Sequence, residues 1–122
     1  MRNQESIHHL DFETLVKINE EVVVLTGNTH SYTRDDEPNI RRLLDEVKNT
    51  AKAGERTERV IQKVSLLVFR IANGQHFHEG NKRTALVAGQ TFLKANRYTI
   101  DITDKDLVRV VDEAGIGQAR FK

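Results

Sequence analysis

The sequence predicts an all-α protein, a compact helical bundle forming a single domain over residues 1–122. Apolar residues recur at intervals of three and four along most of the chain, the spacing that places them on one face of a helix. Turn-forming pairs such as Asn73-Gly74 separate these segments, and the chain contains only one proline. A chain of 122 residues is long enough to bury a hydrophobic core.

Two helices are predicted in the first half of the chain. Asp11 is placed to cap the first, whose apolar face comprises Phe12, Leu15, Val16, Val22 and Val23. Pro38 suits the first turn of the second helix, and Gly54 is expected to end it. The apolar face of this second helix comprises Ile40, Leu43, Leu44, Val47 and Ala51. Between the two helices, residues 27–38 are polar and lack a period, which predicts a long loop.

The third predicted helix, over about residues 56–73, is apolar around most of its circumference, which indicates a central position in the bundle. Its apolar residues are Val60, Ile61, Val64, Leu66, Leu67, Val68, Phe69 and Ile71. A fourth helix is predicted over about residues 81–96, with Ala85, Leu86, Gly89, Phe92 and Leu93 facing inward. Alternating residues over 98–102 indicate a short extended segment, and a capping pattern at 103–106 opens a last helix.

Composition limits the partners of the protein. Without cysteine, the chain has neither a disulfide nor a thiolate metal site. The net charge of +1, from 19 basic and 18 acidic residues, gives no general attraction to nucleic acid or anionic lipid. The first 13 residues lack the apolar run of a signal peptide, and the apolar runs at 22–25 and 66–69 are too short to span a membrane. We therefore expect a cytoplasmic protein without a membrane or nucleic-acid partner.

The segment GQHFHEGNKRT, residues 74–84, joins the third predicted helix to the fourth. The first amides of a helix have no intrahelical partners and carry partial positive charge. Gly80 and Asn81 let the backbone approach a ligand closely, and Lys82 and Arg83 add full positive charges. These features predict an anion site, most naturally for phosphate. A Gly-Asn turn before a basic helix also occurs without a ligand, so spacing alone leaves both interpretations open.

Other residues of this segment have separate roles. Glu79 would repel a bare anion, but it suits a Mg²⁺ ion lying between its carboxylate and bound phosphates. Phe77, flanked by polar residues, is expected to be buried and to anchor the turn.

The five histidines are His8, His9, His30, His76 and His78. Because no H-x-x-x-H pair occurs, we favour solvated or hydrogen-bonding histidines over a zinc or nickel site.

The run FHEGNKRTA at residues 77–85 resembles the signature of the Fic/Doc family, H-x-F-x-D/E-G-N-G/K-R. Its surroundings agree, with Ala-Asn-Gly at 72–74 before the motif and TAL and FLKANRY after it. Lys82 resembles the Doc, or death-on-curing, branch, and so does Leu86, where other members have a second arginine. The resemblance implies a Fic-fold helical bundle with the motif loop between two central helices. Residues 27–38 lie where the family has its target-positioning flap, although a plain solvated loop is equally compatible.

The resemblance also implies a function, the transfer of a phosphate-containing group from ATP to a hydroxyl of a target protein. Glu79 would hold Mg²⁺, and Gly80, Asn81, Lys82 and Arg83 would form the anion hole. Most members transfer AMP, whereas the Doc branch phosphorylates translation elongation factor Tu and is restrained by an antitoxin protein. We therefore expect a Doc-like toxin of a toxin–antitoxin pair, with phosphoryl and AMP transfer both open.

The sequence departs from the family signature at the catalytic position. The family's histidine base lies two residues before the phenylalanine, where this chain has Gln75, and His76 and His78 are each one residue out of register. An amide has no basic lone pair near neutral pH. Three explanations are open: a non-catalytic nucleotide-binding protein that acts by partner binding, substitution by His76 or His78, or an introduced replacement that silences a toxin. We favour reduced or lost activity.

Overall fold

The structure is a computed structural model that describes residues 6–25, 36–74, 76–78 and 80–98. These residues form four helices: α1 Phe12–Leu25, α2 Glu37–Asn49, α3 Arg56–Asn73 and α4 Asn81–Ala95. No strand occurs within the described ranges, and the predicted all-α bundle is confirmed. The extended segment expected at 98–102 and the last helix expected from 103 lie outside the described residues, except for Tyr98. Most of the predicted loop at 27–38 also lies outside them.

The start of α1 is as the sequence predicts. Asp11 Oδ1 accepts a hydrogen bond of 2.8 Å from the Thr14 amide, so this carboxylate caps the first turn. The hydrogen bond from Thr14 lowers the pKa of Asp11. The buried face of the helix comprises Leu15, Ile18, Asn19, Val22 and Val23. Val24 and Leu25, at its C-terminal end, are exposed.

The hydrophobic core lies between the four helices, with α3 and α4 forming the most extensive contact among the described elements. α3 also packs against α2, and α1 packs against α4 and α2, so each described helix packs against at least two others. Ile61, one of the predicted apolar residues of α3, is 54% exposed. The core residues are Leu15, Ile18, Val22, Ile40, Leu43, Val47, Val60, Leu67, Ile71, Phe77, Ala85, Ala88 and Phe92. None of the described helices combines the length and apolar character needed to cross a bilayer.

The C-terminal end of α2 corrects the sequence prediction. The helix was expected to continue through Ala51 to Gly54, but it ends at Asn49. Ala51 has a φ of 53°, in the left-handed region, and is not part of the helix. The reason is the Lys63 side chain of α3, whose Nζ donates to the carbonyl oxygens of Val47, Lys48 and Thr50 at 3.0, 2.9 and 2.8 Å. These bonds take up two carbonyls in the last turn of α2 and the carbonyl of its C-cap residue, Thr50, and so stabilise the helix end.

Lys63 itself is almost completely buried, with 3% of its surface exposed. Burial lowers its pKa, and the nearby charges of Arg59 and Lys52 act in the same direction. Its three carbonyl acceptors satisfy an ammonium group that would otherwise be costly to bury. A signal is present in the sequence, because Lys63 falls on the same helical stripe as Val60 and Leu67. A polar residue on an apolar stripe predicts a specific buried partner.

Asn96, directly after α4, ties the N-terminal segment to the bundle. Its side chain accepts from the His8 amide at 2.7 Å and donates to the His8 carbonyl at 2.9 Å. Arg56, at the start of α3, donates to the Asn96 backbone carbonyl and side-chain oxygen at 3.2 and 3.3 Å. The Arg56 guanidinium also lies 5.5 Å from the centre of the Tyr98 ring. This buried amide therefore holds together the N-terminal segment, α3 and α4.

The cap formed by Lys63 is open to a stability test. Lys63→Met keeps most of the side-chain volume but removes the ammonium donor from the carbonyls of Val47, Lys48 and Thr50, so we expect the unfolding free energy to fall by about 1–3 kcal/mol. Chemical denaturation measures this value. Lys52→Met, which removes an exposed lysine near the same helix end, is the control and should change it by less than about 0.5 kcal/mol. Equal effects of the two substitutions would contradict the capping role.

Candidate functional site

The site lies where α3 ends and α4 begins, joined by a short segment that we name the motif loop, residues 74–80. Gly74 follows α3 as its C-terminal cap residue, and Gly80 precedes α4 with a φ of 72°. That left-handed conformation favours glycine, because a side chain would be strained there. Gln75 and Glu79 lie outside the described residues, so their roles rest on the sequence.

Phe77 anchors the motif loop, as expected, with only 1% of its surface exposed. Its backbone is held by the Asn81 side chain: the Phe77 amide donates to Asn81 Oδ1 at 3.1 Å, and Asn81 Nδ2 donates to the Phe77 carbonyl at 2.7 Å. The amide group of Asn81 is therefore used to hold the loop closed. The sequence placed Asn81 in the anion hole, and in this geometry its backbone N–H is the group that remains for a ligand.

The start of α4 concentrates positive charge. The Thr84 amide donates to the Gly80 carbonyl at 2.7 Å and closes the first turn. The three preceding amides, at 81–83, have no intrahelical acceptor, and Gly80 has no side chain with which to cap them. Lys82 and Arg83 are exposed in this turn, which contains no acidic residue.

The other three helix starts differ, since α1, α2 and α3 each have a glutamate in the first turn: Glu13, Glu37 and Glu58. Cations at the positive end of a helix dipole are unfavourable, whereas an anion there is favourable. The arrangement at α4 suits a bound anion, because two cationic side chains and the positive end of the helix dipole lie in one turn.

α1 forms the wall behind this helix start. A side chain at Gly80 would lie 3.2 Å from Val22 Cγ1 and 3.5 Å from Val23 Cγ2, so the backbone of Gly80 approaches α1 closely. Beside this contact, Asn19 Nδ2 donates to Thr84 Oγ1 at 3.0 Å, and both residues are fully buried. Sequence analysis missed this pair. The signal in the sequence was Asn19, a polar residue within the apolar stripe of α1, which predicts a buried hydrogen-bond partner.

His76 is turned into the protein. Its ring is half-buried and lies against Gly74, where any side chain would overlap the ring and the Arg70 carbonyl. Burial lowers the pKa of His76 and the Arg70 charge adds to the effect, while a hydrogen bond to the Arg70 backbone opposes it. The ring is therefore mainly neutral near pH 7. Its Nδ1 is buried and has no hydrogen-bond partner within the described residues.

His78 has the opposite environment, with its side chain 60% exposed. Its Nε2 lies 3.2 Å from Oδ2 of Asp36, the residue that precedes α2. This contact joins the motif loop to the end of the predicted 27–38 loop. Asp36 was not identified from the sequence, because only the folded chain brings these positions together.

The described residues fit a phosphate better than a self-contained metal site. They include no group of three histidine, cysteine, aspartate or glutamate side chains that could hold a metal ion. Mg²⁺ that arrives with a nucleotide needs only one or two protein carboxylates, because phosphate oxygens and water complete its coordination. The sequence predicts Glu79, the residue before Gly80, as the carboxylate for this ligand.

A concavity of about 370 Å³ lies away from the motif loop. Its lining comprises His9, Leu10, Asp11, Phe12, Arg41, Leu44, Asp45 and Lys48. Charges of both signs face this groove, and Arg41 is already engaged, through an ion pair with Glu37 and by stacking 4.2 Å from the centre of the Phe12 ring. The groove therefore lacks the single-sign charge that distinguishes the start of α4.

Comparison with known proteins agrees with the motif. The model of the Fic/DOC family matches residues 9–93, which include α1 to α3, the motif loop and nearly all of α4. No curated protein and no solved structure matches the chain. The match covers more than half of the 122 residues and contains the whole of the candidate site. The chain belongs to the Fic/DOC family.

Proposed function

We propose that this protein binds the phosphates of ATP at the start of α4 and transfers a phosphate-containing group to a hydroxyl of a target protein. Family membership indicates nucleotide transfer to protein targets, with ATP as co-substrate. The observation that carries the assignment to this site is the charge at α4: Lys82 and Arg83 lie at the positive end of the helix, in a first turn that contains no acidic residue. A polyphosphate offsets this charge.

Each residue of the proposed phosphate site is given one role in binding or in holding the motif loop. Arg83 and Lys82 neutralise phosphate oxygens, and the amides at 81–83 donate hydrogen bonds to them. Gly80 allows the close approach, and Asn81 holds the loop through its bonds to Phe77. Mg²⁺, held by Glu79 and the phosphates, would reduce the negative charge that repels an attacking hydroxyl. The hydroxyl oxygen then bonds to phosphorus as the bond to the leaving group breaks, releasing ADP for γ-transfer or pyrophosphate for α-transfer.

The attacking hydroxyl must lose its proton to a general base, and this chain lacks the family's histidine at the base position. Gln75 occupies the base position and cannot accept a proton at neutral pH. His76 is an unsuitable substitute, because its ring faces the protein interior. His78 is accessible to solvent but lies one residue out of the family register. General-base catalysis typically contributes ~10²–10⁴-fold, so we propose that this chain has reduced or lost activity while it retains nucleotide binding.

Within the family, the motif favours the Doc branch. Lys82 and Leu86 resemble that branch and favour γ-phosphoryl transfer over AMP transfer. The corresponding biological role is that of a Doc-like toxin in a toxin–antitoxin pair. Its target would be elongation factor Tu, and an antitoxin protein would restrain it. Gln75 favours a second candidate function, a non-catalytic nucleotide-binding protein that acts by binding a partner.

Nucleotide binding is the first test. Arg83→Ala should weaken ATP binding in the presence of Mg²⁺ by about 10- to 100-fold, the loss expected for a charge-assisted hydrogen bond, with little loss of stability. Lys94→Ala, which removes an exposed cation at the other end of α4, is the control and should leave the affinity unchanged. Phe77→Ala should instead lower the unfolding free energy by about 3–5 kcal/mol, because it removes a buried ring. Calorimetry and thermal unfolding measure the two effects.

Two results would count against the site. Wild-type protein that binds no ATP at millimolar concentration with Mg²⁺ would exclude it. Arg83→Ala and Phe77→Ala variants that behave alike in both measurements would show that the roles of anchor and anion ligand are wrongly assigned.

Restoring the base tests the chemistry. Gln75→His should raise transfer from labelled ATP by ~10²–10⁴-fold and leave nucleotide affinity nearly unchanged, because the proposed anion hole is not altered. Labels on both the α- and γ-phosphates distinguish AMP transfer from phosphoryl transfer. If the unmodified protein transfers readily and His78→Ala stops it, then His78 is the base and the role given to Gln75 is wrong. A Gln75→His variant that binds ATP but stays inert on elongation factor Tu would favour the non-catalytic function.

A further inference from the structure

We infer that the buried hydrogen bond between Asn19 and Thr84 is a positioning device that sets the phosphate-binding start of α4 against α1. This inference rests on the function proposed above. Asn19 Nδ2 donates to Thr84 Oγ1 at 3.0 Å across 65 residues of sequence, and both side chains are fully buried. Neither residue belongs to the family signature that was quoted for the anion hole.

Thr84 is linked directly to the phosphate-binding turn. Its backbone amide donates to the Gly80 carbonyl at 2.7 Å, the bond that closes the first turn of α4. The three amides proposed to contact phosphate, at 81–83, lie within that turn. A shift of Thr84 therefore shifts these amides as a unit, and the Asn19 side chain is the group in α1 that holds Thr84 by a directional bond.

The apolar contacts between α1 and this turn are less directional. The side chains of Val22 and Val23 lie against Gly80, at 3.2 and 3.5 Å from where a Cβ would stand. Apolar packing of this kind favours a range of helix orientations, because the attraction itself has no direction. A hydrogen bond constrains both distance and angle. The Asn19–Thr84 bond consequently adds a directional constraint to the contact made by the valines.

Stability alone explains the pair poorly. A buried hydrogen-bonded pair contributes little more than two apolar groups of the same shape would. Asparagine also has a lower helix propensity than leucine, the apolar residue that would fit the stripe formed by Leu15, Ile18 and Val22. Placement of the anion site gives the polar pair a function, since misplacement by about 1 Å can cost a reaction ~10²-fold.

The test compares full-length variants whose changes are matched in shape. Thr84→Val removes the acceptor hydroxyl, and Asn19→Leu/Thr84→Val removes both members of the bond. Thr84→Ser keeps the hydroxyl and is the rescue variant. Thr91→Val makes the same chemical change elsewhere on α4, where the hydroxyl donates to the Val87 carbonyl at 2.8 Å. The affinity for ATP with Mg²⁺ and for inorganic phosphate is measured by calorimetry, below the melting temperature of every variant.

We expect Thr84→Val and the double variant to bind both ligands about tenfold more weakly than wild type, with Thr84→Ser and Thr91→Val close to wild type. A folded double variant with wild-type affinity would overturn the inference, even though the proposed function would stand. Should Thr84→Val fail to fold, the double variant decides by the same criterion. Wild-type protein that binds neither ligand would overturn both the proposed function and the inference.

Discussion

The positive end of α4 is the constraint on which the rest of the site depends. The positive end of the helix dipole and the side chains of Lys82 and Arg83 place like charge together at one helix terminus. Each cation near a helix N-terminus is unfavourable by about 0.3–1 kcal/mol. The fold opposes this cost locally, because Phe77 is buried and the Asn81 side chain binds its backbone twice. The turn is thus held in place by the protein, and the side chains of Lys82 and Arg83 are exposed.

The remaining helices support this turn through a small number of buried polar contacts. Lys63 caps α2 and so fixes the end of the helix that packs beside α3. Asn96 joins the N-terminal segment, α3 and the end of α4. Asn19 meets Thr84 at the opposite end of α4. Each of these polar groups joins separate elements by directional hydrogen bonds, and α4 is held in this way at both ends.

Periodicity and local capping were sufficient to predict the four described helices and the burial of Phe77, because these features depend on near neighbours in sequence. Asp11 is a local cap of this kind, and it was predicted correctly. The early end of α2 was not predictable from local sequence, since it depends on Lys63, which lies more than a helical turn beyond Gly54. The pairs Asn19–Thr84 and His78–Asp36 likewise form only when distant segments meet. A polar residue on an apolar stripe predicts a specific buried partner, but the sequence does not identify that partner. The proposed departure from the family signature at Gln75 has a different origin, because it is recognised only when the sequence is compared with that signature.

Binding of phosphate by the backbone amides at the start of α4 is tested most directly by amide NMR. Titration of ¹⁵N-labelled protein with ATP and Mg²⁺ follows every backbone N–H separately. We expect saturable shifts that are largest for the amides of Asn81, Lys82 and Arg83, with inorganic phosphate shifting the same three. Shifts confined to the groove near Leu44 and Lys48, or no shift at millimolar ligand, would contradict it.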